Sequence, residues 1–229
     1  MYISHKYKIV FLRTSRCAGT SIQEFLIRNL DDPEALYTPL HWGSEQIKSS
    51  IPESVINSFR PYNFNYLTLE DLARQAVLSP VKFHEYYMFQ VLRDPLDRQR
   101  STYSSIKNSW SPDTEPSANE YDELSAGGIN FKGAPGATLK QSNVFKYEDK
   151  NYGNIWLYED LNAHLEEFTD KYNISVTHPL EKRKSSNRDT HFNLNHTAVS
   201  HIANCFEEDF AMYTKIRKTA YESHKSNHS

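Results

Sequence analysis

Cysteine is scarce in this chain: Cys17 and Cys205 are its only two among 229 residues. Two thiols cannot build a disulfide scaffold or a Cys-rich metal site, and their scarcity suits a reducing cytoplasm. Long hydrophobic runs are missing too. The run Ile9-Val10-Phe11-Leu12, between Lys8 and Arg13, is too short for a signal-peptide core. No stretch approaches the ~18 apolar residues of a membrane span. An excess of one charge is also absent, with 26 Lys+Arg against 29 Asp+Glu and a net charge of −3. Nucleic acid and anionic membranes therefore gain no general attraction, and any anion site has to be local. There is no internal repeat, low-complexity block or long Gly/Ser linker. The apolar fraction of 38% lies below the ~45–50% of an average soluble domain, which predicts a generous surface for the core. Against these absences stand aromatics at 13%, whose rings need burial and argue against disorder. The length suits one domain.

The pattern along the chain predicts alternating strands and helices. Lys8 to Leu12 reads as a short buried strand, followed by the hydroxyl-rich loop Thr14–Ser21. Ile22, Phe25, Leu26, Ile27 and Leu30 then line a helical face that Asp31-Asp32-Pro33 ends. Residues 44–58 read as weakly helical. Thr68 and Asp71 can cap a helix ending near Leu78. Tyr86 to Leu92 reads as a second strand, broken by Arg93-Asp94-Pro95 and followed by a helix to about Lys107. Residues 108–137, rich in Gly and Pro, read as a loop or lid. Asn154 to Tyr158 reads as a third strand before a helix over 161–172, and a last helix starts near Asn195. This order predicts an α/β fold with a central parallel sheet. The whole is expected as one domain over 1–221 with a flexible tail over 222–229.

Two segments carry candidate chemistry. The first is the loop Arg16-Cys17-Ala18-Gly19-Thr20-Ser21, between a buried strand and a helix. A helix N-terminus presents unpaired N–H groups and partial positive charge, which favours phosphate or sulfate. Ala18 and Gly19 allow close backbone approach, Thr20 and Ser21 add hydroxyls, and Arg16 adds charge. An ordinary βα turn with hydroxyl capping explains the same residues equally well. The Gly-Lys-Ser/Thr of nucleoside triphosphatases and the G-x-G-x-x-G of dinucleotide sites are both absent. The second segment is Arg93-Asp94-Pro95, with Ser101 about two helical turns on. Arg93 ends a strand, where open α/β sheets bind ligands. Taken alone, a capped strand-to-helix junction with solvated Arg98 and Arg100 is the simpler reading.

The two segments together resemble the sulfotransferases that use 3′-phosphoadenosine 5′-phosphosulfate (PAPS), with the carbohydrate sulfotransferase branch (the heparan and chondroitin type) as the nearest likeness. Phe11 to Ser21 is similar to that family's 5′-phosphosulfate loop, and Arg93-Asp94-Pro95 with Ser101 to its 3′-phosphate motif. The likeness extends more diffusely through Leu157-Tyr158-Glu159-Asp160-Leu161 to Glu208-Asp209-Phe210. It implies a three-layer α/β/α fold related to nucleotide kinases. It also implies that the first loop wraps the 5′-phosphosulfate while Arg93 and Ser101 hold the 3′-phosphate, with PAP (3′-phosphoadenosine 5′-phosphate) as product and no metal required. Arg16 stands where the family usually has a lysine that contacts the oxygen between sulfate and leaving phosphate. Arginine keeps the charge, but its planar fork cannot take the same point position.

Sulfuryl transfer needs a base for the attacking hydroxyl. His41, in Thr38-Pro39-Leu40-His41-Trp42, follows the first helix at about the place of the family's catalytic histidine, with Glu45 and His84 in reserve. A core or capping histidine beside Trp42 is the alternative. Lys182 to Arg188 is a short basic stretch that reads as a solvated loop. The resemblance makes Lys184, Ser185 and Arg188 candidates to close over the nucleotide. Gln141 is expected to face the acceptor, a hydroxyl-bearing glycan or glycolipid. Tyr103, Trp110 and Tyr121 can stack on sugars or simply pack. The competing readings are a nucleotide kinase on the related fold and a non-catalytic nucleotide-binding protein. No nucleic-acid partner or membrane span is expected, and the expected setting is the cytoplasm of a bacterial or virus-infected cell.

Overall fold

A computed structural model describes residues 1–38, 66–107, 139–181 and 196–226. Its centre is a five-stranded sheet in the order β3-β1-β2-β4-β7. Strands β2 (Ile9–Phe11), β4 (Tyr87–Leu92) and β7 (Asn154–Leu157) are the three that the sequence pattern predicts. They run parallel, with Val10 opposite Met88 and Val91 opposite Trp156. The sheet is parallel only in this core. Strand β1 (Tyr2–Ser4) pairs antiparallel with β2 on one side and β3 (Leu36–Tyr37) on the other. β1 and β3 are too short to leave a period in the sequence.

Alternate residues of the strands enter two separate cores. Tyr2, Ile9, Phe11, Phe89, Val91 and Trp156 join Ile22, Phe25 and Leu26 of helix α1 (Gly19–Asn29) and Phe168 of α4 (Leu161–Lys171). Ile3, Val10, Leu12 and Met88 face the other way, onto Leu69 and Leu72 of α2 (Leu69–Arg74), Phe83 and Phe145. A sheet covered on both faces needs apolar residues on both, which explains the uninterrupted runs of β2 and β4. The result is the expected three-layer arrangement.

Helix α2 begins at the predicted capping box: Asp71 N–H donates to Thr68 Oγ1, and Asp71 Oδ2 accepts Thr68 N–H. It ends at Arg74 rather than Leu78, because Ala76 turns left-handed at φ 53° and directs Val77 and Leu78 back to Leu72 O. Helix α3 spans Pro95–Lys107. The last helix is two, α5 (His196–Cys205) and α6 (Glu207–Ser226), broken at buried Phe206. Glu207, Glu208 and Asp209 fill the first turn of α6, where negative charge meets the positive end of the helix dipole. A small hairpin, β5 (Lys146–Tyr147) with β6 (Lys150–Asn151), turns at Glu148 and Asp149 with both φ positive. That turn usually uses Asn-Gly or Asp-Gly, so the sequence carried no hairpin signal. No helix among the described residues is long and apolar enough to cross a membrane.

Candidate functional site

Because β2, β4 and β7 are parallel, the segments that follow them emerge on one edge of the sheet. The loop after β2 is tied to its neighbour strand by Leu12 N–H on Phe89 O and by Thr14 Oγ1 on Val91 O at 2.5 Å. It then turns twice through left-handed backbone, at Arg16 (φ 64°) and Ala18 (φ 56°). Each such turn costs a non-glycine residue about 1–3 kcal/mol, which the surrounding contacts must offset. Ala18 is the N-cap of α1 and has no side chain with which to cap it. Ile22 N–H is bonded to Ala18 O, so the amides of Gly19, Thr20 and Ser21 form an uncapped first turn. Such a turn offers an acceptor several N–H groups and partial positive charge together.

Gly19 is needed for close approach. A Cβ there would lie 3.2 Å from Cβ and Cγ of Arg13. The Arg13 side chain passes over it to donate from Nη2 to Thr20 Oγ1 at 2.7 Å. Arg13, buried at the start of the loop and facing the ring of Tyr66, is a cation the sequence reading did not single out. Its one available signal was a charge directly after an apolar strand. Cys17 points into the core, donates to Ser15 O and Gln141 Oε1, and has its thiol pKa pushed up to about 11 by burial. It stays protonated, and only its backbone can serve an anion.

The second segment follows β4. Asp94 Oδ1 accepts Asp97 N–H at 2.9 Å, so Asp94 caps α3 and Pro95 occupies its first position. This explains the Asp-Pro pair as local structure and leaves Arg93 for other work. The Arg93 guanidinium lies 4.4 Å from the ring centre of Tyr158, which follows β7. Its Nη1 donates to Arg16 O at 3.1 Å, while its buried Nε has no hydrogen-bond partner among the described residues. Ser101, two turns along α3, accepts from Arg16 Nε at 3.2 Å. Residues far apart in sequence thus meet beside the uncapped helix.

The match of the chain to the family model described as Sulfotransferase family runs over residues 1–224. The chain belongs to the sulfotransferase family. No curated protein matches it.

The sulfotransferase holds Arg93 from behind through Gln141. Gln141 Oε1 accepts Arg93 N–H and Nε2 donates to Arg93 O, both at 3.0 Å, as a neighbouring strand would. Gln141 is fully buried, so it does not face the acceptor as expected; its amide completes a strand end that has run out of backbone partners. Its own backbone is satisfied by Asp209 Oδ2 and Gln90 Nε2. Asp209 also accepts Ser142 N–H at 2.8 Å and pairs with Arg98 at 3.3 Å, with side chains 0% and 1% exposed. Arg98 is therefore not solvated but is among the most buried side chains, donating further to Leu139 O and facing Phe206. Nothing in the sequence couples residues 98, 141 and 209. Their partners are chosen by tertiary packing.

His41, Glu45, Lys184, Ser185, Arg188 and the loop 108–137 lie outside the described residues. The reserve base His84 is placed, and it does not fit. It sits on the turn before β4, at the other end of a six-residue strand from Arg93. That separation is roughly 20 Å at ~3.3 Å per residue, too far for proton transfer. Among the described residues, no group of His, Cys, Asp and Glu could hold a metal ion.

Proposed function

We propose that this sulfotransferase moves the sulfuryl group of PAPS to a hydroxyl of a glycan or glycolipid. The observation that supports the nucleotide donor most directly is the meeting of Arg16, Arg93 and Ser101 beside the uncapped first turn of α1. An orphaned buried Nε on Arg93 suits an added phosphate oxygen, because a buried donor left unpaired costs ~1–3 kcal/mol. Two anionic ends of one nucleotide need more than one cation, and the nearness of Arg16 to Arg93 supports that reading. The bound donor supplies a sulfuryl group activated by a phosphate leaving group that needs no proton. The protein's tasks are then to hold that nucleotide, to exclude water and to deprotonate the acceptor.

His41 is the proposed base: a neutral imidazole takes the hydroxyl proton as the oxygen attacks sulfur. Lys184, Ser185 and Arg188 are proposed to close over the nucleotide, and 108–137 to wall the acceptor. A near-neutral chain gives a highly sulfated polyanion little general attraction, which favours a neutral or lightly charged sugar.

Calorimetry with PAP tests the donor. Micromolar binding without Mg²⁺ is expected, and Arg93→Ala should weaken it sharply, by about tenfold or more. The absence of any binding by the wild type would overturn the reading. His41→Ala should abolish transfer and leave PAP binding intact; normal turnover would move the base elsewhere.

A further inference from the structure

The side chain of Gln141 touches both candidate anion segments at once, from inside the protein. We infer that Gln141 is a positioning residue of the donor site: its carboxamide holds the loop after β2 and the end of β4 at the spacing that the two phosphates of one nucleotide require. This rests on the donor reading above and adds to it a residue that touches no nucleotide.

One oxygen serves both segments. Gln141 Oε1 accepts Arg93 N–H at 3.0 Å and lies 3.3 Å from Cys17 Sγ, while Nε2 donates to Arg93 O at 3.0 Å. A carbonyl oxygen has two lone pairs, so it can take both donors. The pair of bonds to Arg93 also fixes which way round the amide stands, because an N–H needs an acceptor and a carbonyl a donor. Burial pushes the Cys17 thiol up to about 11, so its hydrogen is in place, shared between Gln141 Oε1 and Ser15 O. Cys17 stands between the left-handed residues Arg16 and Ala18, so this bond reaches the middle of the strained turn.

Gln141 is itself held from two further directions. Its N–H donates to Asp209 Oδ2 of α6 at 2.9 Å, and its carbonyl accepts from Gln90 Nε2 of β4 at 3.1 Å. Fully buried and anchored on two elements, it does not follow a segment that shifts. Arg93 Nη1 and Arg16 O also link the two segments, but a bound phosphate draws on that same guanidinium. The bonds of Gln141 use the backbone of Arg93 and the thiol of Cys17 instead. They leave the Arg93 guanidinium and the first amides of α1 to a ligand.

Calorimetry with three probes tests this: PAP bears both phosphates, while adenosine 5′-phosphate and adenosine 3′-phosphate bear one each. Two linked ends gain from sites held at matching spacing, and either end alone does not. Gln141→Met is therefore expected to weaken PAP about tenfold or more and each one-ended probe about threefold or less. Cys17→Ala removes one of the bonds; it should weaken PAP about threefold in the otherwise wild-type chain and add nothing to Gln141→Met. Cys17→Ser, which keeps a donor, should recover most of that loss. Melting temperatures check that the variants fold. If Gln141→Met does not fold, the Cys17 variants decide: a loss on Cys17→Ala that is larger for PAP than for the one-ended probes, and that Cys17→Ser recovers, supports the inference. Equal losses for PAP and adenosine 3′-phosphate would make Gln141 a prop for Arg93 alone. An unchanged PAP affinity in Gln141→Met, or the same Cys17→Ala loss in both backgrounds, would mean that the carboxamide sets no spacing. Each of these results overturns the inference and leaves the donor reading standing. A wild type that binds no PAP overturns both.

Discussion

The two faces of the central sheet are built on different principles. One is an aromatic stack: Phe89 lies 4.1 Å from Trp156 and 4.9 Å from Phe11, ring centre to ring centre, and Phe168 closes over both Phe89 and Trp156. The other is aliphatic near β1 and becomes polar toward the site, where Gln90, Gln141, Asp209 and Arg98 form one buried chain of hydrogen bonds. Apolar burial is non-directional and tolerant, and it makes a sheet stable without fixing where a guanidinium points. A buried polar chain does the reverse. It contributes little net stability for its cost, but each link admits one geometry. The candidate site at the strand ends is thus set by the polar face and held up by the aromatic one.

That division can be broken. The largest effect is expected from Asp209→Ala, which leaves Arg98 buried without its carboxylate and two amides without an acceptor. Loss of one partner of such a pair costs about 3–5 kcal/mol, read by urea unfolding. PAP affinity should fall too, because Gln141 no longer holds Arg93. Stability lost with affinity unchanged would disconnect the polar chain from the site. Phe89→Ala is expected to cost a comparable or slightly smaller ~3–5 kcal/mol through the cavity it leaves, yet to change PAP affinity less than about twofold in the folded protein. A parallel loss of affinity would mean that the two faces do not divide the work.

The smallest effect concerns pH. His164 is the histidine against the aromatic face among the described residues, stacked on Trp156 at 5.8 Å, and burial holds its pKa below the ordinary 6.5. Glu167 and Asp160 oppose that shift without reversing it. The unfolded chain therefore takes up this proton at a higher pH than the folded one. Its contribution to stability is present above about 6.5 and is lost as pH falls toward the lower folded value. His164→Phe should flatten this part of the stability profile between pH 7 and 5, and an unchanged slope would assign it to other groups.

Much of the scaffold was legible beforehand, for reasons that particular residues show. The runs Ile9–Phe11 and Tyr87–Leu92 announce strands covered on both faces, and Thr68 with Asp71 announces a helix start through a box that closes within four residues. The family was legible by resemblance from two segments, of which Asp94 and Pro95 form a helix cap. The short strands β1 and β3 and the hairpin turn at Glu148-Asp149 were not, being too short or lacking their usual turn residues. Arg98 read as solvated and Gln141 as facing the acceptor, because burial is invisible until a partner is known.

By itself, then, the sequence determined what is local: which segments are strands and where helices begin. Tertiary structure alone decided what meets. It brought the side chain of Arg16 to Ser101 and its carbonyl to Arg93, put Gln141 behind Arg93, and set Asp209 on Arg98 across 111 residues. The physical reason is range. Propensity and capping act within a turn or two of chain, whereas a buried hydrogen bond is chosen only once packing has removed water as the alternative partner.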